Sequence, residues 1–113
     1  NGRLDGCVFK LSSDLSAMVF GSYIGGVSDD AGYGLDLGLY SDLYITGGSN
    51  SSSFGYTCPG LKQINNGGRA DGYLLRIDLN SFAVRAYTFI GTSSYDQSYF
   101  VKLRKTNSWR DYF

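Results

Sequence analysis

The feature that most constrains this chain is an internal repeat. Residues 22–33 read S-Y-I-G-G-V-S-D-D-A-G-Y, and residues 88–99 read T-F-I-G-T-S-S-Y-D-Q-S-Y. At an offset of 66, Ile24, Gly25, Ser28, Asp30 and Tyr33 meet Ile90, Gly91, Ser94, Asp96 and Tyr99 without a gap. The same offset places Gly2, Arg3, Asp5 and Gly6 on Gly68, Arg69, Asp71 and Gly72, and Ala17 and Leu37 on Ala83 and Leu103. Repetition at this period calls for stacked copies of one supersecondary unit, because a single unit cannot bury its own apolar face. Repeat one is residues 1–66, and repeat two, incomplete, is residues 67–113.

Alternation of large and small residues sets the content of each unit. Residues 5–11 place Cys7, Phe9 and Leu11 on one face and Val8 and Lys10 on the other, the period of a strand. Ser12, Ser13 and Asp14 form a turn cluster, and residues 17–24 supply a second strand and so a hairpin. Tyr33, Leu35, Leu37 and Leu39 alternate with Gly34, Asp36 and Gly38, a third strand over 33–39 with one large face and one small. Further strands are expected over 42–47, 71–78, 82–90 and 98–103, with a turn at Lys105-Thr106-Asn107 and a last segment within 109–113. Between 48 and 70 runs one long connection, through which Phe54, Tyr56, Leu61 and Ile64 are spaced so that parts of it pack down. No stretch has a helical period or a capped apolar stripe, so an all-β fold without helices is expected. Sixteen glycines and ten tyrosines against one proline suit short strands, glycine turns and aromatic filling between sheets.

The strings D-G-C-V-F-K-L, Y-I-G-G-V-S-D-D-A-G-Y-G, D-L-Y-I-T-G and N-N-G-G-R-A-D-G-Y-L-L-R-I resemble the bacterial secreted β-propeller repeat family, the SBBP repeats. Nearly the whole chain falls under that pattern. The second repeat departs from it, with Thr92 for a glycine, Ser98 where Gly32 stood, and Arg110-Asp111-Tyr112 where Tyr44-Ile45-Thr46 stood. The resemblance implies four-stranded antiparallel blades: half a blade (5–24), one full blade (33–90) and half a blade (98–113). It also implies an extracellular or cell-surface location. Half-blades leave open sheet edges. Their partners are then the remaining blades of a longer chain, or identical copies whose half-blades complete one another. Asn1 is not an initiator methionine, which fits a processed product or a fragment.

Gly25, Gly26, Gly32 and Gly91 read as turn positions supplying backbone with φ > 0, and Asp30 and Asp96 as turn carboxylates that accept backbone amides. A second reading of the same loop is a calcium site built from Asp29, Asp30 and Asp36 with main-chain carbonyls. Against it, Asp29 and Asp36 become Tyr95 and Lys102 in the second copy, so the turn reading is preferred and no cofactor is expected. Asp5 and Asp71 read as strand-entry turns, with Arg3 and Arg69 as partners for such acids. Cys7 and Cys58 match no metal-ligand spacing; they form either one disulfide or two unrelated thiols.

Histidine is absent, so no Ser-His-Asp or Cys-His set exists. The glycines open no phosphate loop with a following Lys-Ser/Thr. Ten basic and ten acidic residues balance, so no global field draws the chain to nucleic acid, and no apolar run has the length of a membrane span. Lys102, Arg104, Lys105 and Arg110 lie near Tyr99, Phe100, Trp109 and Tyr112, which reads as a solvated face before a nucleic-acid or glycan contact. Asn50-Ser51-Ser52 fits a glycosylation acceptor, a match of little weight in a bacterial protein. The expectation is a non-catalytic binding or scaffold module contacting protein or glycan, with a structural assembly subunit as the alternative and an appendage of a secreted hydrolase as the third.

Overall fold

The computed structural model describes residues 2–104, and these contain six strands and no helix. Strands β1 (Gly6–Leu11) and β2 (Met18–Ile24) form a two-stranded hairpin sheet. Strands β3 (Asp30–Leu37), β4 (Asp42–Ser49), β5 (Asp71–Asp78) and β6 (Val84–Ile90) form a four-stranded antiparallel sheet in sequential order. Sequential antiparallel order follows from connections too short for a crossover, the 50–70 connection excepted.

The core lies on one face of the larger sheet. Leu43 and Ile45 of β4, Tyr73, Leu75 and Ile77 of β5, and Tyr87 and Phe89 of β6 are all buried. They share a face because the register pairs Leu43 with Ile77, Ile45 with Leu75, and Tyr73 with Phe89. Two elements cover that face. The hairpin contributes Val8 and Ile24 to the core and Phe20 at its margin. The Phe20 ring stacks on Phe82, centroids 4.1 Å apart and planes within 8°. A groove of about 270 Å³ lined by Val8, Phe9, Phe20, Leu35, Leu37 and Leu43 remains between the sheets.

The long connection supplies the other cover. Phe54 is buried edge-on to Tyr73 at 5.0 Å and tilted against Phe89 at 5.2 Å and Tyr87 at 5.4 Å. Tyr56 packs at the margin, while Leu61 and Ile64 are exposed. Past Phe54 the same connection runs along the outer edge of β6. The Tyr87 N–H donates to the Pro59 carbonyl at 3.2 Å, and the Phe89 N–H to the Lys62 carbonyl at 2.7 Å. An otherwise open ladder edge is thereby closed by loop backbone.

Several expectations are corrected. Strand β3 starts at Asp30, three residues before the expected 33, because Asp30, Ala31 and Gly32 pair with Ser49, Gly48 and Gly47. Tyr33 is the residue left over in the irregularity between Gly32 and Gly34. Phe82 belongs to the β5–β6 turn at φ 58°, not to β6. Residues 98–103 form no strand; this segment meets the larger sheet through one backbone bond, from the Ser98 N–H to the Gly47 carbonyl at 3.2 Å, and not through a ladder. The expected turn at 105–107 and the segment 109–113 lie outside the described residues, as do Lys105, Trp109, Arg110 and Tyr112.

Acids hold the hairpin turns. Asp14 accepts from the hydroxyls of Ser12 and Ser16 and from the Ser16 N–H, which together hold its carboxyl down at about 2. Asp78 accepts from the Asn80 N–H, from Arg85 at 3.0 Å and from the Ser81 N–H, which lower it too. Groups depressed in the folded state stabilise it above the unfolded carboxylate pKa and lose that stabilisation as pH falls through the folded value. The urea midpoint is therefore expected to stay level from neutral pH down to about 4 and to fall between about 4 and 2. Asp14→Asn should lower the midpoint at neutral pH and flatten part of the acid fall. An acid profile identical to the parent's would contradict the assignment to Asp14.

Candidate functional site

The two copies of the glycine and acid loop are built alike in backbone detail. The Asp30 N–H donates to the Leu4 carbonyl at 2.8 Å, and the Asp96 N–H to the Ala70 carbonyl at 2.8 Å. Asp30 Oδ2 accepts from the Gly26 N–H at 2.8 Å, and Asp96 Oδ2 from the Thr92 N–H at 2.6 Å. In both copies a carboxylate closes its own turn by taking the amide four residues back. Asp30 and Asp96 thus have the geometry of turn carboxylates.

The glycines serve a different purpose from the one expected. Positive φ among the described glycines occurs at Gly55, Gly67 and Gly68, not at Gly25, Gly26, Gly32 or Gly91. Gly25 and Gly91 are required by close approach. A Cβ on Gly25 would lie 2.6 Å from Asp30 Oδ2 and 2.9 Å from Asp5 Oδ1; one on Gly91 would lie 2.5 Å from Asp71 Oδ1. On Gly26 it would meet the Ser53 carbonyl at 2.3 Å, whereas Gly32 has only ordinary contacts. Crowding by carboxylates and loop carbonyls, rather than left-handed backbone, explains the first three.

The first copy carries partners that the sequence did not point to. Asp30 is buried, and both of its oxygens are engaged: Oδ2 also accepts from the Ser51 hydroxyl at 2.7 Å, and Oδ1 accepts from the Ser49 hydroxyl. Ser49 and Ser51 are themselves fully buried. In sequence they belong to the serine run that opens the long connection. Their spacing of two, from the last residue of β4 to the second beyond it, is the only signal that they share a side. Asp30 also adds to the effect of burial in raising the Tyr73 phenol well above its ordinary value. The Tyr73 hydroxyl spans β4 to donate to the Ala31 carbonyl at 3.0 Å.

The three carboxylates of the calcium reading are held apart. Asp29 Oδ1 accepts from the Leu4 N–H at 3.1 Å, Asp30 is occupied as described, and Asp36 Oδ2 accepts from the Leu103 N–H at 2.8 Å with Lys102 Nζ at 3.8 Å. Among the described residues no three His, Cys, Asp or Glu side chains gather as a metal would need. Asp5 accepts from the Gly2 N–H at 3.3 Å and Asp71 from the Asn66 N–H, so both brace strand entries. Cys7 and Cys58 are both free thiols, Cys7 exposed on β1 and Cys58 half-buried beside the core.

Between the two loops lies a pocket of about 220 Å³ whose lining includes Leu4, Asp29, Tyr33, Ala70, Tyr95 and Gln97. Gln97 organises the aromatics. Its Nε2 donates to the Tyr33 hydroxyl at 3.1 Å and the Tyr95 hydroxyl at 2.6 Å, and its Oε1 accepts from Tyr99. The Tyr33 and Tyr99 rings stack at 5.1 Å. Gly48 lets this group lie close to β4, since a Cβ there would touch Gln97 at 3.0 Å. Tyr33, Tyr95 and Tyr99 are each about half-exposed, so aromatic surface and polar groups converge on one concavity. Of the expected basic cluster, Lys102 faces Asp36 and Phe100 is exposed. No protein-family model, curated protein or solved structure matches the chain. The described residues define an all-β class, six antiparallel strands in two sheets, on a sequence that repeats at an offset of 66.

Proposed function

We propose that the chain is a non-catalytic binding and scaffold module of β-propeller type, part of a longer secreted or cell-surface protein. The observation that carries this reading is the repeated hand-over from one sheet to the next. A Cβ on Gly6 would lie 3.1 Å from the Gly32 nitrogen and 3.2 Å from the Ile24 carbonyl oxygen; one on Gly72 would lie 3.1 Å from the Ser98 nitrogen and 3.0 Å from the Ile90 carbonyl oxygen. The same close approach thus recurs at an offset of 66 residues, which supports a reading as stacked repeat units. The resemblance of the residues to secreted propeller repeats supports the location. Function argued from fold is analogy, and the pocket at Tyr33, Tyr95 and Gln97 is what gives it a surface.

The non-catalytic part is supported by the absence of histidine and by carboxylates committed to backbone amides and serine hydroxyls. The test is a screen of the 113-residue chain against arrayed glycans and peptides, with hydrolysis followed in parallel. Binding without turnover is expected, and it should fall at least about tenfold in Tyr95→Ala, which removes an exposed ring worth about 1.5 kcal/mol of contact. Hydrolysis of any arrayed polymer by the chain alone would overturn the proposal. A structural subunit whose incomplete blades pair between copies is the second reading, favoured by the exposed Phe9, Val19 and Tyr23 of the hairpin.

A further inference from the structure

The core face of the larger sheet is covered across β4, β5 and β6 and left open at β3. On that face Leu35 and Leu37 of β3 pair with Ile45 and Leu43 of β4. Ile45 and Leu43 are buried, whereas Leu35 is 59% exposed and Leu37 51%. Phe54 lies over Tyr73, Tyr87 and Phe89, and the hairpin enters the core through Val8 and Ile24. Neither cover extends over Leu35 and Leu37, and the groove of about 270 Å³ between the sheets is what remains.

Seven of the eight residues that line this groove are apolar, and the eighth is Lys10. Lys10 follows Val8 by two positions on β1, so both side chains take the face turned to the larger sheet. Lys10 is exposed and forms no ion pair among the described residues. At the equivalent position of the second copy, the Arg76 guanidinium bonds the Asp42 carboxylate at 3.0 Å. A cation at this strand position takes a carboxylate where the fold supplies one; at Lys10 the described residues supply none.

We infer that the groove binds a free medium-chain fatty acid, its acyl chain along Leu35, Leu37, Leu43 and Phe20 and its carboxylate on Lys10. Size, polarity and charge each narrow the class. The volume equals about nine liquid waters at roughly 30 Å³ each, which holds a chain of about eight to ten carbons. Apolar walls reward buried methylenes, whereas a peptide or a sugar would leave amides or hydroxyls unpaired against leucine. The single charge in the lining is positive, which favours an acid over an alcohol or an amine. The Lys10 stem can lie along the apolar wall with its ammonium in water, so the acid sits head outward. The Tyr33–Tyr95 pocket, with Asp29 and Gln97 in its lining, offers the opposite chemistry, so the two sites take different ligands.

The test is a calorimetric titration of the 113-residue chain with octanoate, octanol and octylammonium, each kept in monomeric solution. Octanoate should bind one to one, about tenfold or more tighter than octanol, and octylammonium should not saturate the chain. Lys10→Gln should lower octanoate affinity to that of the alcohol and leave the alcohol unchanged, a split that loss of folding would not produce. Leu35→Thr, at an exposed strand position that threonine suits, should weaken acid and alcohol alike by about fivefold or more. Tyr95→Ala should alter neither. Absence of saturable octanoate binding, equal binding of the amine, or an affinity that Lys10→Gln leaves unchanged overturns the inference. So does loss of octanoate binding in Tyr95→Ala, which would place the acid in the aromatic pocket. A ligand-free dimer in light scattering that octanoate cannot enter makes a second copy the occupant and overturns it as well.

Discussion

Replacing Gly47 with alanine is expected to abolish most of the stability of the larger sheet. Gly47 sits in β4 between Gly32 of β3 and Tyr73 of β5. A Cβ there would lie 1.8 Å from the Ala31 carbonyl oxygen and 2.9 Å from the Tyr73 hydroxyl, inside the hydrogen bond that those two groups form across β4. Ordinary overpacking is relieved by side-chain rotation at about 1–3 kcal/mol, but here the nearest atom is main chain and cannot swing away. The carbonyl can retreat only by opening the β3–β4 ladder. A loss of about 4 kcal/mol or more is expected, a large share of the 5–15 kcal/mol typical of a domain. Urea unfolding should show a midpoint at most about half of the parent's, or no folded baseline. Tyr73→Phe provides the discriminating comparison. Alone it should cost about 1–2 kcal/mol through the unpaired carbonyl, and combined with Gly47→Ala it should restore nothing, because the carbonyl clash persists. A double variant more stable than Gly47→Ala would show that the hydroxyl, not the backbone, excludes the side chain.

Gly47 also shows what could be read from residue order and what could not. Six strands were legible in the sequence, but the strand expected over 98–103 does not form, and the repeat was legible because identities at one offset need no packing information. The equal registers of β1–β2 and β5–β6 follow from that offset. Which face of β1 is buried did not follow. Val8 and not Phe9 enters the core, because the hairpin lays its Val8–Ile24 face, not its Phe9 face, on the larger sheet. The start of β3 was missed because Asp30 and Gly32 carry turn propensity, which pairing with Ser49 and Gly47 overrides. The glycines were assigned to left-handed backbone, where only Gly55, Gly67 and Gly68 are found. A sequence reports that a side chain is missing, but not whether torsion or a neighbouring atom requires its absence. The pocket was least legible. Gln97 meets Tyr33 from 64 positions away and has Ala31 as its counterpart in the first copy.

Asp30→Ala is expected to cost about 3 kcal/mol or more, and Asp96→Ala only about 1 kcal/mol, although the two acids are repeat equivalents making the same turn bond. The difference lies in what each carboxylate satisfies. Asp30 is 5% exposed and accepts from a backbone amide and from the hydroxyls of Ser49 and Ser51, which are buried at 1% and 0%. Removing it strands three buried donors that water cannot reach, and an unmade bond costs more than a made one contributes. Asp96 takes the Thr92 amide and hydroxyl at an exposed site, where water replaces it. The measurement is a pair of urea curves at neutral pH on otherwise identical chains. Equal losses would mean that the serines contribute nothing to holding Asp30. The same pair decides the calcium reading. If the carboxylate is saturated by hydroxyls and an amide, calcium or EDTA should leave the parent Tm unchanged, and Ser51→Ala should destabilise equally with and without the ion. A calcium-dependent Tm that Asp30→Ala erases would instead assign the loop to a cation, with Ser49 and Ser51 as its supporting hydroxyls rather than its replacement.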